Sequence, residues 1–275
     1  MKSFDGRVAA ITGSASGIGR ALANELARRG AHLALCDIDE VGLAETVAQC
    51  EGTGVKVTSQ RLDVANRDAM YAWADRVVED HGKVNLIFNN AGVALGATVD
   101  AMSYDDFEWL MNINFWGVVY GTKAFLPHLR AAGEGHIVNL SSVFGLISIP
   151  SQSAYNAAKF GVRGFTDSLR MELDIEKCGV SSTTIHPGGI KTNIARNARM
   201  DDSVTAVTGA ADFAQEFDKI AMTKPAKAAR QILAAVENDR RRALIGPDAK
   251  LIDLVSRLPA GLYQRVLVWG AARRK

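Results

Sequence analysis

The stretch R-V-A-A-I-T-G-S-A-S-G-I-G, residues 7 to 19, is the most informative part of this 275-residue chain. Arg7 to Thr12 form a short, mostly apolar run that is typical of a buried strand. The glycine-rich segment Gly13 to Gly19 follows, and then a helical pattern that stops at Gly30. Strand, glycine turn and helix indicate a phosphate-binding turn, because the helix N-terminus presents free N–H groups to a pyrophosphate. The alternative is a tight turn that needs glycine for its geometry alone.

An acidic residue follows the next apolar run at a spacing that suits a dinucleotide. This run extends from Ala31 to Asp37, and Asp37 lies eighteen positions after Gly19. A carboxylate at about this distance accepts hydrogen bonds from the adenosine ribose hydroxyls and repels a 2′-phosphate. No Arg or Lys stands just before Gly17 or just after Asp37. The predicted cofactor is therefore NAD rather than NADP, and the alternative is a surface acid at a strand end.

A tyrosine and a lysine four residues apart form a candidate catalytic pair. Tyr155 and Lys159 lie in S-A-Y-N-A-A-K, and Tyr155 follows Ser142 by thirteen positions. On a helix this spacing places both side chains on one face. A neighbouring cation favours the phenolate and is expected to lower the tyrosine pKa. The pattern predicts a general acid/base with Ser142 as a second hydrogen-bond donor to the substrate oxygen. The alternative is a half-buried tyrosine beside a surface lysine.

Taken together, these motifs resemble the short-chain dehydrogenase/reductase family over residues Ser3 to Ile194. The matching motifs follow the family's order: T-G-S-A-S-G-I-G at Thr12, D-V at Asp63, N-N-A-G at Asn89, N-x-x-G at Asn114, the serine at Ser142, Y-N-A-A-K at Tyr155 and P-G-G-I-K-T at Pro187. The joint occurrence of so many motifs in one order is far more specific than any single glycine pattern.

The resemblance implies a set of site residues. The implied catalytic residues are Asn114, Ser142, Tyr155 and Lys159. Asn112 is the competing choice, but only Asn114 has the N-x-x-G spacing to Gly117. Asp63 and Val64 would hold the adenine ring, and Ile190 and Thr192 would hold the nicotinamide carboxamide. With the glycine turn and Asp37 included, the expected cofactor contacts are Gly13, Ser16, Gly17, Ile18, Gly19, Asp37, Ile38, Asp63, Val64, Asn90, Ala91, Gly92, Tyr155, Lys159, Pro187, Gly188, Ile190 and Thr192.

Strand-like and helix-like segments alternate along the chain. The further predicted strands are Val55–Leu62, Val84–Asn90, His136–Ser142 and Val180–Pro187, and the predicted helices are Arg67–His81, Tyr104–Ala132 and Gln152–Cys178. This alternation predicts an α/β fold, a single-domain, Rossmann-like, doubly wound parallel sheet flanked by helices. Residues 1–246 form the predicted catalytic domain with a substrate lid at about 193–222, and residues 247–275 form a helical extension of the same domain.

Composition narrows the function classes. A net charge of +2 with dispersed basic residues gives no basis for nucleic-acid binding. The 3 cysteines lack C-x-x-C spacing and the 5 histidines lack ligand spacing, so no metal site is predicted. A reducing cytoplasm is the expected location, because the first strand begins within a few residues of the N-terminus and leaves no room for a signal peptide.

The predicted reaction interconverts a secondary alcohol and a ketone. Apolar residues in the lid and after Ser142 favour an apolar substrate such as a steroid, a terpenoid, or an aryl or long-chain compound. Two alternatives stay open: a small diol or acyloin substrate at the same site, and a non-catalytic nucleotide-sensing protein on the same fold.

The last segment, residues 261–275, is apolar with a basic end. It is either an interfacial membrane helix or a tail packed on the substrate cleft or on a neighbouring subunit. The second interpretation is favoured because the segment is short. The family resemblance also implies that the long helices Asp105–Arg130 and Gln152–Glu176 pair across subunits, so a homodimer or homotetramer is expected.

Overall fold

The structure is a computed structural model that describes residues 1–208 and 213–272. Part of the predicted lid, residues 209–212, lies outside the described residues. So do Arg273, Arg274 and Lys275, the basic end on which the membrane alternative depends.

Alternating strands and helices build the first part of the chain. They are β1 (Val8–Thr12), α1 (Gly17–Arg28), β2 (His32–Asp37), α2 (Glu40–Glu51), β3 (Val57–Arg61), α3 (Arg67–His81), β4 (Leu86–Asn89) and the short β5 (Leu95–Gly96). Asn66 caps α3, because its side chain accepts a hydrogen bond from the backbone N–H of Ala69. Gly82 ends the same helix in the left-handed conformation that glycine favours.

The second part continues this alternation with more helices. It contains α4 (Tyr104–Met111), a π-helical turn (Asn112–Trp116), α5 (Gly117–Ala131), β6 (Gly135–Leu140), a 3₁₀ turn (Val143–Gly145), α6 (Ser153–Glu176), β7 (Val180–Pro187), β8 (Arg199–Met200), α7 (Ser203–Thr208), α8 (Phe213–Ile220), α9 (Pro225–Glu237), β9 (Arg242–Ile245), α10 (Pro247–Val255) and α11 (Ala260–Ala272).

Seven parallel strands form the central sheet in the order β3-β2-β1-β4-β6-β7-β9. The predicted fold class is confirmed. The chain builds outward in one direction from β1 to β3 and in the other direction from β4 to β9. The change of direction between β1 and β4 opens a crevice at the carboxyl ends of the strands, which is where ligands bind in such sheets.

Apolar side chains cover both faces of the sheet. One cluster joins α1 and α9 to the sheet through residues such as Leu22, Leu26 and Ile232. The other joins α3 and α5 to the opposite face, with Trp73 packed edge-on against Phe125. All five residues of β1 are buried, as expected for a central strand covered on both sides.

Several elements were not predicted from the sequence. They are α2, α7, α8, α9, β9 and the two-stranded pair of β5 with β8. The predicted helix Tyr104–Ala132 is also interrupted by the π-helical turn, whose i→i+5 hydrogen bonds the apolar periodicity of the sequence does not reveal. No helix in the described parts of the chain is long and apolar enough to cross a membrane.

Candidate active site

The glycine turn lies at the carboxyl end of β1. Gly13 and Gly17 have φ values of +66° and +54°, which side chains other than glycine rarely adopt. A methyl group at Gly13 would lie 2.7 Å from the Cα atom of Ala91, and one at Gly19 would overlap the Gly13 carbonyl oxygen. The turn therefore needs glycine for close packing as well as for backbone angles.

Hydrogen bonds join the glycine turn to the N-N-A-G turn after β4. The side-chain amide of Asn90 donates to the carbonyl oxygens of Thr12 (2.9 Å) and Gly13 (3.0 Å). The hydroxyl oxygen of Thr12 accepts from the backbone N–H groups of Asn90 and Ala91, each at 3.0 Å. Because these bonds cross between neighbouring strands, the two predicted cofactor segments form one rigid unit. The Asn90 amide shapes this unit.

Asp37 lies at the end of β2 beside this unit. Its carboxylate accepts hydrogen bonds from the backbone N–H groups of Ala15 (2.8 Å) and Asp39 (3.0 Å). The β2–β3 register places Arg61 opposite Asp37, a neighbour that sequence spacing does not reveal. The Arg61 guanidinium lies 3.8 Å from the carboxylate of Glu40. A cation thus stands near Asp37, but an acid already faces it.

Asp63 and Val64 follow β3 and differ in exposure. Asp63 is exposed, and its carboxylate accepts a hydrogen bond from the Ala65 N–H at 2.9 Å. Val64 is buried, and a methyl group at Gly117 would lie 2.9 Å from its Cγ2 atom. Ile38, the residue after Asp37, is 58% exposed. These residues edge the crevice on the β2–β3 side.

Ser142, Tyr155 and Lys159 meet where β6 ends and α6 begins. Ser142 acts as a hydrogen-bond donor to the tyrosine oxygen and so favours the phenolate. The Ser142 oxygen accepts from the backbone N–H of Phe144 at 3.1 Å. The ammonium nitrogen of Lys159 lies 5.5 Å from the centre of the Tyr155 ring. It donates to the Leu140 carbonyl oxygen at 3.0 Å. The helical spacing brings the two side chains onto one face, as predicted.

Asn114 completes this group from the π-helical turn. Its side chain accepts from the Val93 N–H and donates to the Val93 carbonyl oxygen, both at 2.8 Å. A methyl group at Gly92 would lie 3.2 Å from Asn114 Oδ1 and 3.7 Å from Lys159 Nζ. Asn112, the competing choice, is exposed, whereas Asn114 is fully buried. The structure places Asn114 beside Lys159 across Gly92.

Burial changes the pKa of both members of the tyrosine–lysine pair. Burial raises the pKa of Tyr155 to about 12, although the hydrogen bond with Ser142 acts in the opposite direction. Burial lowers the pKa of Lys159 to about 8. The prediction that the tyrosine pKa is lowered is therefore wrong for this structure, because the loss of hydration outweighs the groups that favour the phenolate. Lys159 is still mainly charged at neutral pH.

The loop after β7 closes the crevice from the other side. Ile190 is buried, and the N–H of Lys191 donates to the Thr223 carbonyl oxygen at 2.9 Å. A methyl group at Gly17 would lie 3.1 Å from Thr192 Cγ2, so this loop reaches the glycine turn. Beside it opens a cavity of about 290 Å³, which is lined by Lys191, Thr192, Asn193 and Arg196. Neither Lys191 nor Arg196 was predicted as a site residue, although Lys191 lies within the P-G-G-I-K-T motif.

An apolar cluster lies next to the tyrosine. Its buried members are Leu95, Leu110, Ala154 and Ala158, and Tyr155 packs against them. Phe144 meets the Tyr155 ring edge-on, with ring centres 6.1 Å apart. Other residues expected to form pocket walls, including Val143, Leu146 and Val204, are buried in this structure.

The first part of the lid is held against the body of the protein. The backbone N–H of Asp201 donates to the Gly96 carbonyl oxygen at 2.9 Å, next to the pairing of β8 with β5. Arg199 binds the carboxylate of Asp106 at 2.7 Å, and its guanidinium lies 3.7 Å from the centre of the Trp109 ring. Residues 199–201 of the predicted lid therefore lie next to the apolar residues Leu95 and Trp109, which belong to the same cluster as Tyr155.

The arrangement fits a nicotinamide dinucleotide. A glycine-rich turn at a helix N-terminus suits the pyrophosphate, and Asp37 suits ribose hydroxyls. Four other predicted contacts lie at the glycine turn and at the loop after β7. Ser16 is the N-cap of α1 and Ile18 lies in its first turn, whereas Pro187 ends β7 and Gly188 follows it. Within the described ranges, no three His, Cys, Asp or Glu side chains are grouped so that they could hold a metal ion.

Comparisons with known proteins agree with this geometry. The family model of the short chain dehydrogenases matches residues 7–203. SadH of Mycobacterium tuberculosis, which is described as an oxidoreductase, is 49% identical over 274 residues, covering 99% of this chain and 98% of its own length. Estradiol 17-beta-dehydrogenase 11 of Macaca fascicularis is 39% identical over 201 residues, covering 71% of this chain and 66% of its own. A short-chain dehydrogenase/reductase from Burkholderia phymatum, solved in complex with NAD, superposes with a TM-score of 0.87 at 33% identity and covers 97% of both chains.

Proposed function

Because the chain belongs to the short-chain dehydrogenase/reductase family of oxidoreductases, we propose that it is an NAD(H)-dependent enzyme that interconverts a secondary alcohol and a ketone. The observation that carries this proposal is the convergence of Ser142, Tyr155, Lys159 and Asn114 beside the glycine turn. A proton-transfer group and a dinucleotide-binding turn at one crevice are what hydride transfer to or from a carbinol carbon requires.

The proposed chemistry of the chain's own residues begins at the substrate oxygen. In the oxidative direction, the Tyr155 phenolate removes the proton from the substrate hydroxyl, and Ser142 donates a hydrogen bond to the same oxygen. When bound, the nicotinamide ring supplies the hydride acceptor or donor. In the reductive direction, Tyr155 returns its proton to the carbonyl oxygen. The apolar cluster around the Tyr155 ring excludes water from this proton transfer.

Lys159 and Asn114 support the tyrosine. The charged ammonium stabilises the phenolate as it forms, and we propose that it also binds the nicotinamide ribose hydroxyls. Asn114 holds the N-N-A-G turn against the π-helical turn through its two hydrogen bonds to Val93. The turn, and with it Gly92, is thereby fixed next to Lys159. A proton relay from Lys159 to solvent through this region is consistent with that packing.

NAD is the proposed cofactor. Asp37 presents a carboxylate whose orientation two backbone N–H groups fix, and this charge opposes a 2′-phosphate. The nearby guanidinium groups already have other partners: Arg20 binds the Gly42 carbonyl oxygen at 3.0 Å, and Arg61 faces Glu40. Lys191 and Arg196 line the cavity beside the glycine turn, where they suit a pyrophosphate. The NAD complex of the Burkholderia structure supports this choice.

An apolar substrate is proposed, such as a steroid, a terpenoid, or an aryl or long-chain alcohol. The support is the apolar cluster that packs against Tyr155 and the Phe144 ring beside it. A relative named for its action on estradiol points in the same direction.

A homodimer or homotetramer is also proposed. Large apolar side chains stand exposed on the helices expected to pair across subunits, namely Trp116, Phe160, Met171 and Ile175. Sedimentation velocity should show a species of at least twice the 29.5 kDa chain mass. A monomer at micromolar concentration would rule this assembly out.

The decisive experiment follows NADH formation from NAD⁺ and NADPH formation from NADP⁺ over secondary alcohols that range from small diols to steroids. Tyr155→Phe should lower kcat by about 10²- to 10⁴-fold, the usual contribution of positioned proton transfer, and leave NADH affinity nearly unchanged. Tyr104→Phe is a matched control, because Tyr104 is 88% exposed. Full turnover in Tyr155→Phe would refute the assignment of the tyrosine, and NADH binding without turnover on any alcohol would favour a nucleotide sensor.

A further inference from the structure

An acidic residue of the C-terminal extension touches the loop after β7. Asp248 lies in the first turn of α10, and its Oδ2 atom accepts a hydrogen bond from the backbone N–H of Gly189 at 2.5 Å. Gly189 is 59 residues earlier in the chain and lies between Pro187 and Ile190, in the segment assigned to the nicotinamide. The carboxylate therefore joins the end of the chain to the candidate cofactor site.

The glycines of this loop are shaped around that carboxylate. A methyl group at Gly188 would overlap the carboxylate of Asp248, and all three of its nearest contacts would be atoms of this one side chain. A methyl group at Gly246, where φ is +99°, would lie 2.6 Å from Asp248 Oδ1. Gly188 and Gly246 thus leave room for the carboxylate of Asp248 and define its position against the loop.

The second carboxylate oxygen of Asp248, Oδ1, is buried without a hydrogen bond from any of the described residues. Removing a carboxylate oxygen from water without a partner is costly, so the contact with Gly189 is retained against a penalty. A helix N-terminus favours an acidic residue in its first turn, but this preference does not require the side chain to be directed at a distant loop.

The remaining contacts show that α10 is a firm support. Asp253, one turn or more further along, binds Arg242 of β9 at 3.0 Å and Arg257 at 2.8 Å. Ala249 is fully buried. On its other side the loop is held by Thr223, whose N–H donates to the Gly189 carbonyl oxygen at 3.2 Å. Gly189 therefore donates a hydrogen bond to Asp248 through its N–H and accepts one from Thr223 through its carbonyl oxygen.

We infer that Asp248 is a positioning residue that holds the Pro187–Thr192 loop in the conformation that receives the nicotinamide half of the dinucleotide. The C-terminal extension is then part of the cofactor site. The inference rests on the proposed function, because it takes this loop to be the nicotinamide loop. The inference predicts a selective effect: Asp248 should affect binding of a ligand that carries the nicotinamide and not binding of the same ligand without it.

The test compares binding of NADH with binding of ADP-ribose, which lacks the nicotinamide, by fluorescence and calorimetry on the full chain. Asp248→Ala should weaken NADH binding at least tenfold and change ADP-ribose binding less than twofold. Asp248→Asn keeps an oxygen that can accept from Gly189, so it should restore NADH binding to within about threefold of the wild type. Asp253→Asn is the matched control: it loosens α10 without touching the loop, and it should not separate the two ligands.

A double-mutant cycle adds a readout that does not depend on the stability of any single variant. Gly188→Ala should weaken NADH binding in the wild type, because the methyl group meets the carboxylate of Asp248. In the Asp248→Ala background the same methyl group has space, so the added loss should be less than twofold. Additive losses, or equal weakening of NADH and ADP-ribose by Asp248→Ala, would overturn the inference. A wild-type chain that binds neither ligand would instead refute the proposed function, and the inference with it.

Discussion

Replacing Lys159 by methionine removes the cation beside Tyr155 and keeps most of the side-chain volume. The ammonium nitrogen lies 5.5 Å from the centre of the tyrosine ring. If the phenolate charge is placed at the ring centre, two unit charges at this separation interact by about 3 kcal/mol at an effective dielectric constant of about 20. Because one pKa unit corresponds to about 1.4 kcal/mol, the lost charge should raise the Tyr155 pKa by about 2 units. The phenolate, and with it the oxidation rate near neutral pH, should fall about 100-fold.

The pH dependence distinguishes this charge effect from a loss of shape. The pKa of Lys159 is about 8, so the ammonium is charged below that pH and assists the phenolate there. Above pH 8 the wild-type pair has already lost the lysine proton, and raising the pH no longer increases the population in which phenolate and ammonium coexist. In Lys159→Met the phenolate continues to increase about tenfold per pH unit, since the Tyr155 pKa lies far above this range. The two rates should therefore converge near pH 10.

The assay is kcat for alcohol oxidation at saturating NAD⁺ and substrate, measured between pH 6 and pH 10. Lys123→Met is a suitable control, because Lys123 is exposed on α5 and its replacement should leave the profile unchanged. A rate ratio that stays constant from pH 6 to pH 10 would show that Lys159 acts through binding or packing alone. An unchanged rate near neutral pH would remove Lys159 from the mechanism.

Two other predictions concern the edges of the crevice. Asp37→Ser should shift the ratio of kcat/KM for NADP⁺ over NAD⁺ upward by at least about tenfold, the equivalent of about 1.4 kcal/mol, because the charge that opposes a 2′-phosphate is lost and Arg61 stands in the neighbouring register position. Asp68→Asn is the control, because Asp68 is exposed. An unchanged kcat/KM ratio in Asp37→Ser would mean that Asp37 does not contact the adenosine ribose. The full chain and a chain that ends at Pro259 should sediment equally little with anionic vesicles, because the Tyr263 hydroxyl ties α11 to Ser148 at 3.4 Å. Salt-sensitive sedimentation that disappears on truncation would instead support an interfacial role for the exposed Leu262, Val266 and Trp269.

The elements that were predicted well are those whose signals are local. The helix Arg67–His81 and the strand Val180–Pro187 have the predicted bounds. In the helix, a capping asparagine and a terminating glycine lie within the segment's own sequence. The parallel sheet followed from the alternation of such segments. Elements with weak signals were missed: β9, for example, has only four residues and pairs with β7 at the edge of the sheet.

Parts of the candidate site also have local signals that make them predictable from the sequence. Helical spacing was sufficient to place Tyr155 and Lys159 together, and the N-x-x-G spacing favoured the buried Asn114 over the exposed Asn112. Their meeting with the glycine turn follows from the parallel sheet, which gathers the carboxyl ends of the strands at one edge. To this extent the position of the candidate site could be predicted from the sequence.

Contacts between distant segments could not be read in that way. The pairing of Arg61 with the Asp37 position depends on the β2–β3 register, and the bond from Asp248 to Gly189 depends on where α10 packs. The sign of the Tyr155 pKa shift has the same origin. A nearby lysine is visible in the sequence and favours the phenolate, but the pKa rises to about 12 because the folded chain removes the ring from water. Helices, strands and the spacing of chemical groups could be predicted from the sequence. The hydration of a side chain and its contacts with distant segments are decided only when the folded elements pack around the site.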